Sequence, residues 1–377
     1  MKFKFSSTWR GVLFAASLLG SASAAELLIG QVAPLTGSIA STGQRMVQGA
    51  QLWFDHVNEL GGIHGARIRQ VIRDDGYQVD KTVEETQKLV ADDQVLALIG
   101  FAGTANIAEL LKRRVLEEGG ITLIAPYTGG APLRTPYNPS IFHIRAGYAD
   151  EAEHLVKQLT TLGYDRIGVL YQDDAFGKSG LDGVLMALAK RKLQPLLAAG
   201  YPRNTAEVQP AVDAMLRAQP SAIIMVAVNK PAAAFAKAYR AAGGGAQLMN
   251  ISVVDPAELV KLAGIEAVRG LGISQVMPYP YNPTLPVVKE YLALLKQHGN
   301  GAEPSYTTFE EFVGAKVLTE ALRRAGPNPS RSKVSTALAS LRNYDVGGFQ
   351  VDFGERNRQG SRFVEVTVIG ADGRLLR

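Results

Sequence analysis

The chain has 377 residues, of which 46% are hydrophobic and 20% charged, with 40 Lys and Arg against 35 Asp and Glu. That length exceeds the ~250–300 residues at which a single hydrophobic core usually divides, so two domains are expected. The chain contains no cysteine, which excludes any disulfide, and its charges are dispersed, the densest basic group being Lys190-Arg191-Lys192; nucleic-acid binding requires a more concentrated basic stripe.

Lys2, Lys4 and Arg10 precede a short apolar run over 11–19, and the small residues Ser21-Ala22-Ser23-Ala24-Ala25 follow. This is the three-part pattern of a secretory signal peptide over 1–25, cleaved after Ala24 or Ala25. The run is too short for a membrane span, which needs ~20 residues, and no later segment supplies one. No Cys follows the small residues, so a lipid anchor is not expected. Removing the three basic residues takes the net charge from +5 to +2.

Beyond the leader, short apolar runs alternate with helical patterns. A strand is expected over 27–32. Met46, Val47, Ala50, Phe54 and Val57 then recur at helical spacing, and Gly61-Gly62 end that helix. Further along come a strand over 66–73, a helix over 80–90, a near-continuous apolar strand over 95–99, a helix over 105–116 and a strand over 121–125. This rhythm implies a parallel sheet with helices on both faces. It pauses over 127–145, a stretch with three prolines, and resumes with a helix over 150–162 and a strand over 166–171. A helix over 177–191 and a buried strand over 221–228 follow. Pro231 starts the next helix, where proline is tolerated, and Gly243-Gly244-Gly245 end it. After a strand over 247–254, Asp255-Pro256-Ala257-Glu258 reads as an N-cap, a first-turn proline and a capping-box glutamate. A strand over 271–276 leads into a second proline-rich stretch. Helices over 286–297, 310–325 and 332–341 precede a β-like tail. The pattern is two βα blocks with breaks near 145 and 277.

Motifs of catalysis are missing. There is no GxGxxG, no GxxxxGK[ST], and the one approach to a GxSxG elbow, Gly177-Lys178-Ser179-Gly180-Leu181, lacks its final glycine. The five His (56, 64, 143, 154, 298) have no metal-ligand spacing. Of three acidic pairs, Asp92-Asp93 ends a helix, while Asp74-Asp75 and Asp173-Asp174 follow strands, where such residues usually shape a turn. An enzyme, a metal site and a cofactor are therefore not expected. What remains is a set of strand-to-helix turns. Gly103-Thr104 opens a helix whose free amides and dipole suit an anion. Tyr127-Thr128-Gly129 ends the next strand. Asp174 and Phe176 sit at the corresponding turn of the second block, and Asn229 follows its next strand. Together they suggest a cleft holding a small, partly apolar anion.

These residues resemble those of the type I periplasmic binding proteins, specifically the leucine/isoleucine/valine-binding group that feeds ABC importers. The resemblance covers essentially the whole mature chain. Its most specific part is IGQVAPLTGSIASTGQRMVQGAQLWFDHVNELGGIHGARI; Asp74-Asp75, Ile99-Gly100, Ala125-Pro126, Arg145, Phe176-Gly177 and GGFQVDFG also fit. It implies an α/β fold of two Rossmann-like lobes joined by a three-strand hinge, with one lobe of 26–146 plus 278–345 and another of 147–277 plus 346–377. It implies a periplasmic, monomeric protein that hands a small-molecule solute to an ABC permease of the inner membrane. The ligand carboxylate would be held by Thr104 and by the turn Tyr127-Thr128-Gly129, with aromatic contacts from Tyr148 and Phe176.

The chain departs from the group at several positions. The carboxylate that holds a ligand amine aligns with Ser252. A second-lobe tyrosine aligns with Asn229, and a first-turn aromatic with Thr42. The usual disulfide positions hold Tyr77 and Gly103. An unpaired buried ammonium is costly, so a carboxylate without an α-amine is expected, an aromatic or branched acid. The alternative is that Asp174 supplies the charge and the ligand is an amino acid. An extracellular sensor module of the same fold is the other functional reading.

Overall fold

The computed structural model describes Met1 and residues 25–377; the rest of the expected leader lies outside the described residues. The first sheet is built from β1 (Glu26–Ala33), β2 (Arg67–Asp74), β3 (Ala97–Ile99), β4 (Leu123–Ile124) and β5 (Ile141–Phe142), in the order β2-β1-β3-β4-β5. All four pairings are parallel. The connecting helices are α1 (Ala40–Glu59), α2 (Val79–Ala91), α3 (Thr104–Lys112) and α4 (Val115–Glu118). β3 is three residues long and wholly buried, because neighbours cover both its faces. Ala97 and Ile99 join a core with Trp53 and Phe54 of α1. Leu98 points the other way, to Leu89 of α2 and Ile107 and Leu110 of α3. This is the two-sided burial that continuous apolar runs signal.

The helix expected over 105–116 is two helices. Arg114 takes a left-handed backbone, φ 57°, and the turn it makes brings Val115 and Leu116 into the core beside Ile107 and Leu110. A single straight helix is given up for that burial.

The second half repeats the winding. α5 (Tyr148–Thr161), β6 (Ile167–Gln172), α6 (Ala175–Ala189), β7 (Leu197–Tyr201), α7 (Gln209–Ala218), β8 (Ala222–Val226), α8 (Asn229–Ala241), β9 (Gln247–Asn250), α9 (Pro256–Ala263), α10 (Ile265–Val268) and β10 (Gly272–Gln275) follow in order. β7 and α7 fall where no element is expected from periodicity. β7 is an edge strand, LAAGY, with half-exposed residues and little apolar signal. α8 starts at Asn229, two residues before the expected Pro231. Pro231 lies inside the first turn, whose amides have no intrahelical acceptor, so its missing N–H costs nothing there. The N-cap expected at Asp255 is present: its carboxylate accepts the Glu258 amide at 2.9 Å.

The chain then returns to the first sheet. α11 (Pro286–His298), α12 (Tyr306–Ala325) and α13 (Arg331–Ala339) follow, and α12 packs along α1. The approach is so close that a Cβ on Gly49 would meet the Thr308 carbonyl oxygen at 2.2 Å. A small hairpin pairs β11 (Tyr344–Asp345) with β12 (Gln350–Val351). Finally β13 (Glu365–Ile369) and β14 (Leu375–Leu376) add to the second sheet, whose order is β14-β13-β10-β9-β8-β6-β7. The β10–β13 and β13–β14 pairings are antiparallel and the rest parallel. Read within each half, both sheets wind 2-1-3-4-5, the doubly wound order that leaves a crevice where the winding reverses. These are two Rossmann-like lobes. No helix among the described residues is long and apolar enough to cross a membrane.

Candidate ligand-binding site

The carboxyl ends of the parallel strands of both lobes face one another. A cavity of about 20 Å³ lies between them. The turn after β1 brings Ile39 and Thr42, the turn after β2 Tyr77, the turn after β3 Ala102, Gly103 and Thr104, and the turn after β4 Tyr127. The second lobe brings Tyr148 from the start of α5, Phe176 after β6, Val228 after β8 and Val253 after β9. β1 and β3, like β6 and β8, flank the reversal of winding, which is where open α/β sheets bind ligands. Larger hollows lie elsewhere on the surface. One, of about 420 Å³, is beside Tyr279, Phe349 and Phe363; another, of about 730 Å³, is a polar groove along α1. A third, of about 560 Å³, lies at the same interlobe seam, between Gly37, Ser38, Gly76 and Gln78 of the first lobe and Asn204, Ala206 and Lys230 of the second, but it takes in none of the cavity's aromatic side chains.

Six of the residues singled out from sequence share this wall: Thr42, Gly103, Thr104, Tyr127, Tyr148 and Phe176. Thr128 and Gly129 stand directly behind it. Thr104 and Thr128 pair through their hydroxyls at 2.7 Å, and Gly129 accepts the Tyr148 amide at 2.9 Å. A Cβ on Gly129 would strike the Tyr148 ring at 2.6 Å. Asn229 bridges the lobes, donating to Thr42 Oγ1 at 3.5 Å and accepting the Asp255 amide at 2.7 Å. Ser252 faces away from the cavity: its hydroxyl accepts from Arg145, and its amide donates to Glu151 at 2.8 Å. Asp174 is not on the wall. It caps α6, accepting the Phe176 and Gly177 amides at 2.9 and 3.1 Å, and it lies 3.3 Å from the Arg203 guanidinium. The Asp74-Asp75 pair also shapes a turn. Asp74 accepts from Leu35, Thr36 and Gly76, and Asp75 from Tyr77 and Thr82.

Sequence reasoning missed Ile39, Tyr77, Ala102, Val228 and Val253 as wall residues. Val228 and Val253 are each one residue from a position that was singled out. Tyr77 carried a usable signal, since it lies in a Gly-Tyr turn just past the end of a parallel strand. Tyr77 and Gly103, at the positions where the resemblance places a disulfide, are in contact: a Cβ on Gly103 would meet the Tyr77 ring at 2.8 Å. With φ +96° as well, this position favours glycine.

The lobes are drawn together around the cavity. Arg203 of the second lobe donates to the Tyr77 carbonyl at 2.8 Å and to Asn106 Oδ1 at 2.7 Å, with its guanidinium 4.1 Å from the Tyr77 ring centre. Arg45 of α1 pairs with Asp255 at the start of α9. Ser38 meets Asn204 at 2.9 Å, and the Ala131 amide donates to Ser179 at 2.9 Å.

Beneath the cavity lies a buried charge cluster. Arg145, on the crossing between lobes, is fully buried, 3.5 Å from Glu310 of α12 and 3.9 Å from Glu151 of α5, and 4.8 Å from the Tyr127 ring centre. Burial pushes the Glu310 carboxyl up to about 7, against the pull of Arg145. Burial and the neighbouring Glu310 also raise Glu311. Burial opposes the charge on Arg145, but Glu310 and Glu151 outweigh it and hold its proton tightly. Burial keeps His143 neutral, well below its usual range. Among the described residues no group of three or more His, Cys, Asp or Glu is placed to hold a metal ion.

Residues 26–374 match the family model described as periplasmic binding protein. A Leu/Ile/Val-binding protein homolog 8 of Brucella abortus is 24% identical over 383 residues, spanning 96% of this chain and 92% of its own. The crystal structure of a substrate-binding periplasmic protein from Ralstonia solanacearum superposes with a TM-score of 0.89 at 43% identity, covering 93% of this chain and 99% of that one. The branched-chain amino acid transporter substrate binding protein LivJ of Streptococcus pneumoniae, solved with isoleucine, shares the fold with a TM-score of 0.80 at 18% identity, over 93% and 97% of the two chains.

Proposed function

Because the chain belongs to the periplasmic binding protein family, we propose that it is the substrate-binding component of an ABC importer, which captures a small carboxylate-bearing solute between its lobes and hands it to an inner-membrane permease. The observation that carries this reading is the interlobe cavity. Its wall comes from the carboxyl ends of parallel strands in both lobes, and it is closed over by hydrogen bonds and ion pairs between them.

The lobes divide as 26–146 with 278–345 and 147–277 with 346–377, and the chain acts as a monomer. Opening at the crossings admits the solute. Its carboxylate meets the first amides of α3, left without intrahelical acceptors, and the Thr104 hydroxyl. Closure then excludes water, which strengthens each polar contact. Nothing in this cycle calls for a cofactor or a bond-making step.

Native mass spectrometry of the purified chain tests the reading. One small carboxylate per chain, released on unfolding, is expected. A chain that carries none and takes up none from a broad panel of carboxylates sinks it. Location has its own test: N-terminal sequencing of the periplasmic fraction should begin at Ala25 or Glu26, and a retained Met1 in membrane material would refute export.

A further inference from the structure

We propose that the cavity takes an arylcarboxylate without an ammonium group, and that Tyr77 is the wall residue that sets this preference. The inference rests on the cavity being the solute site.

The wall is made of Tyr77, Tyr127, Tyr148 and Phe176, with aliphatic side chains, two threonines and a glycine. It contains no Asp or Glu. The carboxylates in adjoining positions are committed. Asp174 holds the first turn of α6 and Arg203. Asp255 holds the Glu258 amide and Arg45. Glu151 holds the Ser252 amide at 2.8 Å and the Ser274 hydroxyl at 2.6 Å. Ser252 itself is turned to Arg145. An ammonium buried here would lack a negative partner, and an unpaired buried charge is strongly disfavoured. A single carboxylate has a place at the start of α3.

Gly76 and Tyr77 are consecutive left-handed residues, φ 55° and 63°. A non-glycine residue in that region is uncommon. Here the conformation puts the Tyr77 ring on the wall, between the Arg203 guanidinium at 4.1 Å and the bare Cα of Gly103. Tyr148 and Phe176 meet edge to face, 5.5 Å between ring centres, on the same wall. The cavity they leave is about 20 Å³, room for roughly one water. A solute must therefore part the lobes. A planar ring, thin in one dimension, enters with the least parting and stacks on aromatic faces, whereas a branched aliphatic chain parts them further.

Thermal shift and calorimetry on the intact chain decide, with benzoate, 4-hydroxybenzoate and phenylacetate set against phenylalanine, leucine and 4-methyl-2-oxopentanoate. The aryl acids should raise the melting temperature and titrate one to one, with phenylalanine and leucine silent at equal concentration. Tyr77→Leu should weaken aryl binding about tenfold, and Tyr77→Phe should restore it with the circular dichroism unchanged. A shift by the amino acids alone means that the cavity supplies an ammonium partner; it overturns this inference and leaves the carrier reading standing. A shift by 4-methyl-2-oxopentanoate alone overturns the planar preference. Silence from all six overturns the inference, and the solute released in mass spectrometry then judges the carrier reading separately.

Discussion

Thr104 sits where helix start, cavity and second threonine meet. Its hydroxyl pairs with Thr128 at 2.7 Å, and its methyl lies against Gly130, where a Cβ would meet it at 2.4 Å. A hydrogen bond to a charged group is worth roughly 1.5–3 kcal/mol, about ten- to a hundredfold in affinity. Thr104→Ala should weaken solute binding by that factor in calorimetry, and Thr104→Ser should retain most of it; wild-type affinity in the alanine variant would reduce Thr104 to a structural role. Glu310 makes a different kind of prediction. Its carboxyl is raised from 4.5 to about 7 in the folded chain, so the native state holds this proton more tightly than the unfolded state does. The associated stability is present below about 4.5 and is lost as pH rises through about 7. Arg145, Arg134 and Glu151 surround it, and Glu311 titrates in the same direction. Glu310→Gln should therefore flatten the fall in urea midpoint between pH 5 and pH 8. Equal slopes in the two proteins would mean that Glu310 is already ionised throughout.

At the scale of elements, closure depends on what helices and turns carry to the interlobe seam. The turn after β7 brings Arg203 across to Tyr77 and Asn106, while Asp174 at the head of α6 steadies the guanidinium from its own lobe. Arg203→Ala removes these two interlobe hydrogen bonds, and Tyr77, met through its carbonyl and its ring, is the one wall residue it contacts in them. Each such bond contributes ~1 kcal/mol, so losing both should quicken dissociation of the bound solute by about thirtyfold. Association should change little, because the contacts form only after the lobes meet. Stopped-flow measurements separate the two rates; a slower association with unchanged dissociation would count against Arg203 as a latch. The pair Arg45–Asp255 works in the same sense from the other side of the seam, joining α1 to the cap of α9.

For the whole molecule, the chain crosses between the two sheets after β5, after β10 and again before β13. Hinge closure around a ligand is an established response of such architectures. The seam contacts are polar and several, and they enclose a cavity that only an opening of the lobes can fill. Small-angle scattering should show a smaller radius of gyration with saturating solute than without. An unchanged profile at saturation would mean that the lobes do not separate in solution.

Legible in the residues alone were the alternation of strands and helices, the two βα blocks, most of the strand-end turns and the family resemblance. These are local or repetitive signals: apolar runs of strand length, helical spacing, caps such as Asp255, glycines at helix ends. The edge strand β7 escaped because it buries only part of its length, and the break at Arg114 because it answers to the burial of Val115 and Leu116 against distant partners. Tertiary structure alone decided which turn residues share the wall. Asp174 and Phe176 are two residues apart, yet one faces an arginine and the other the cavity, because a cap turns its side chain back onto its own helix. Ser252 is taken from the cavity by Arg145 and Glu151, each more than a hundred residues away in the chain. Tyr77 reaches the wall through a left-handed turn and the bare Cα of Gly103. Side-chain direction at the end of a strand depends on which partner competes for it, and those partners are assembled only when the sheets wind and the lobes meet.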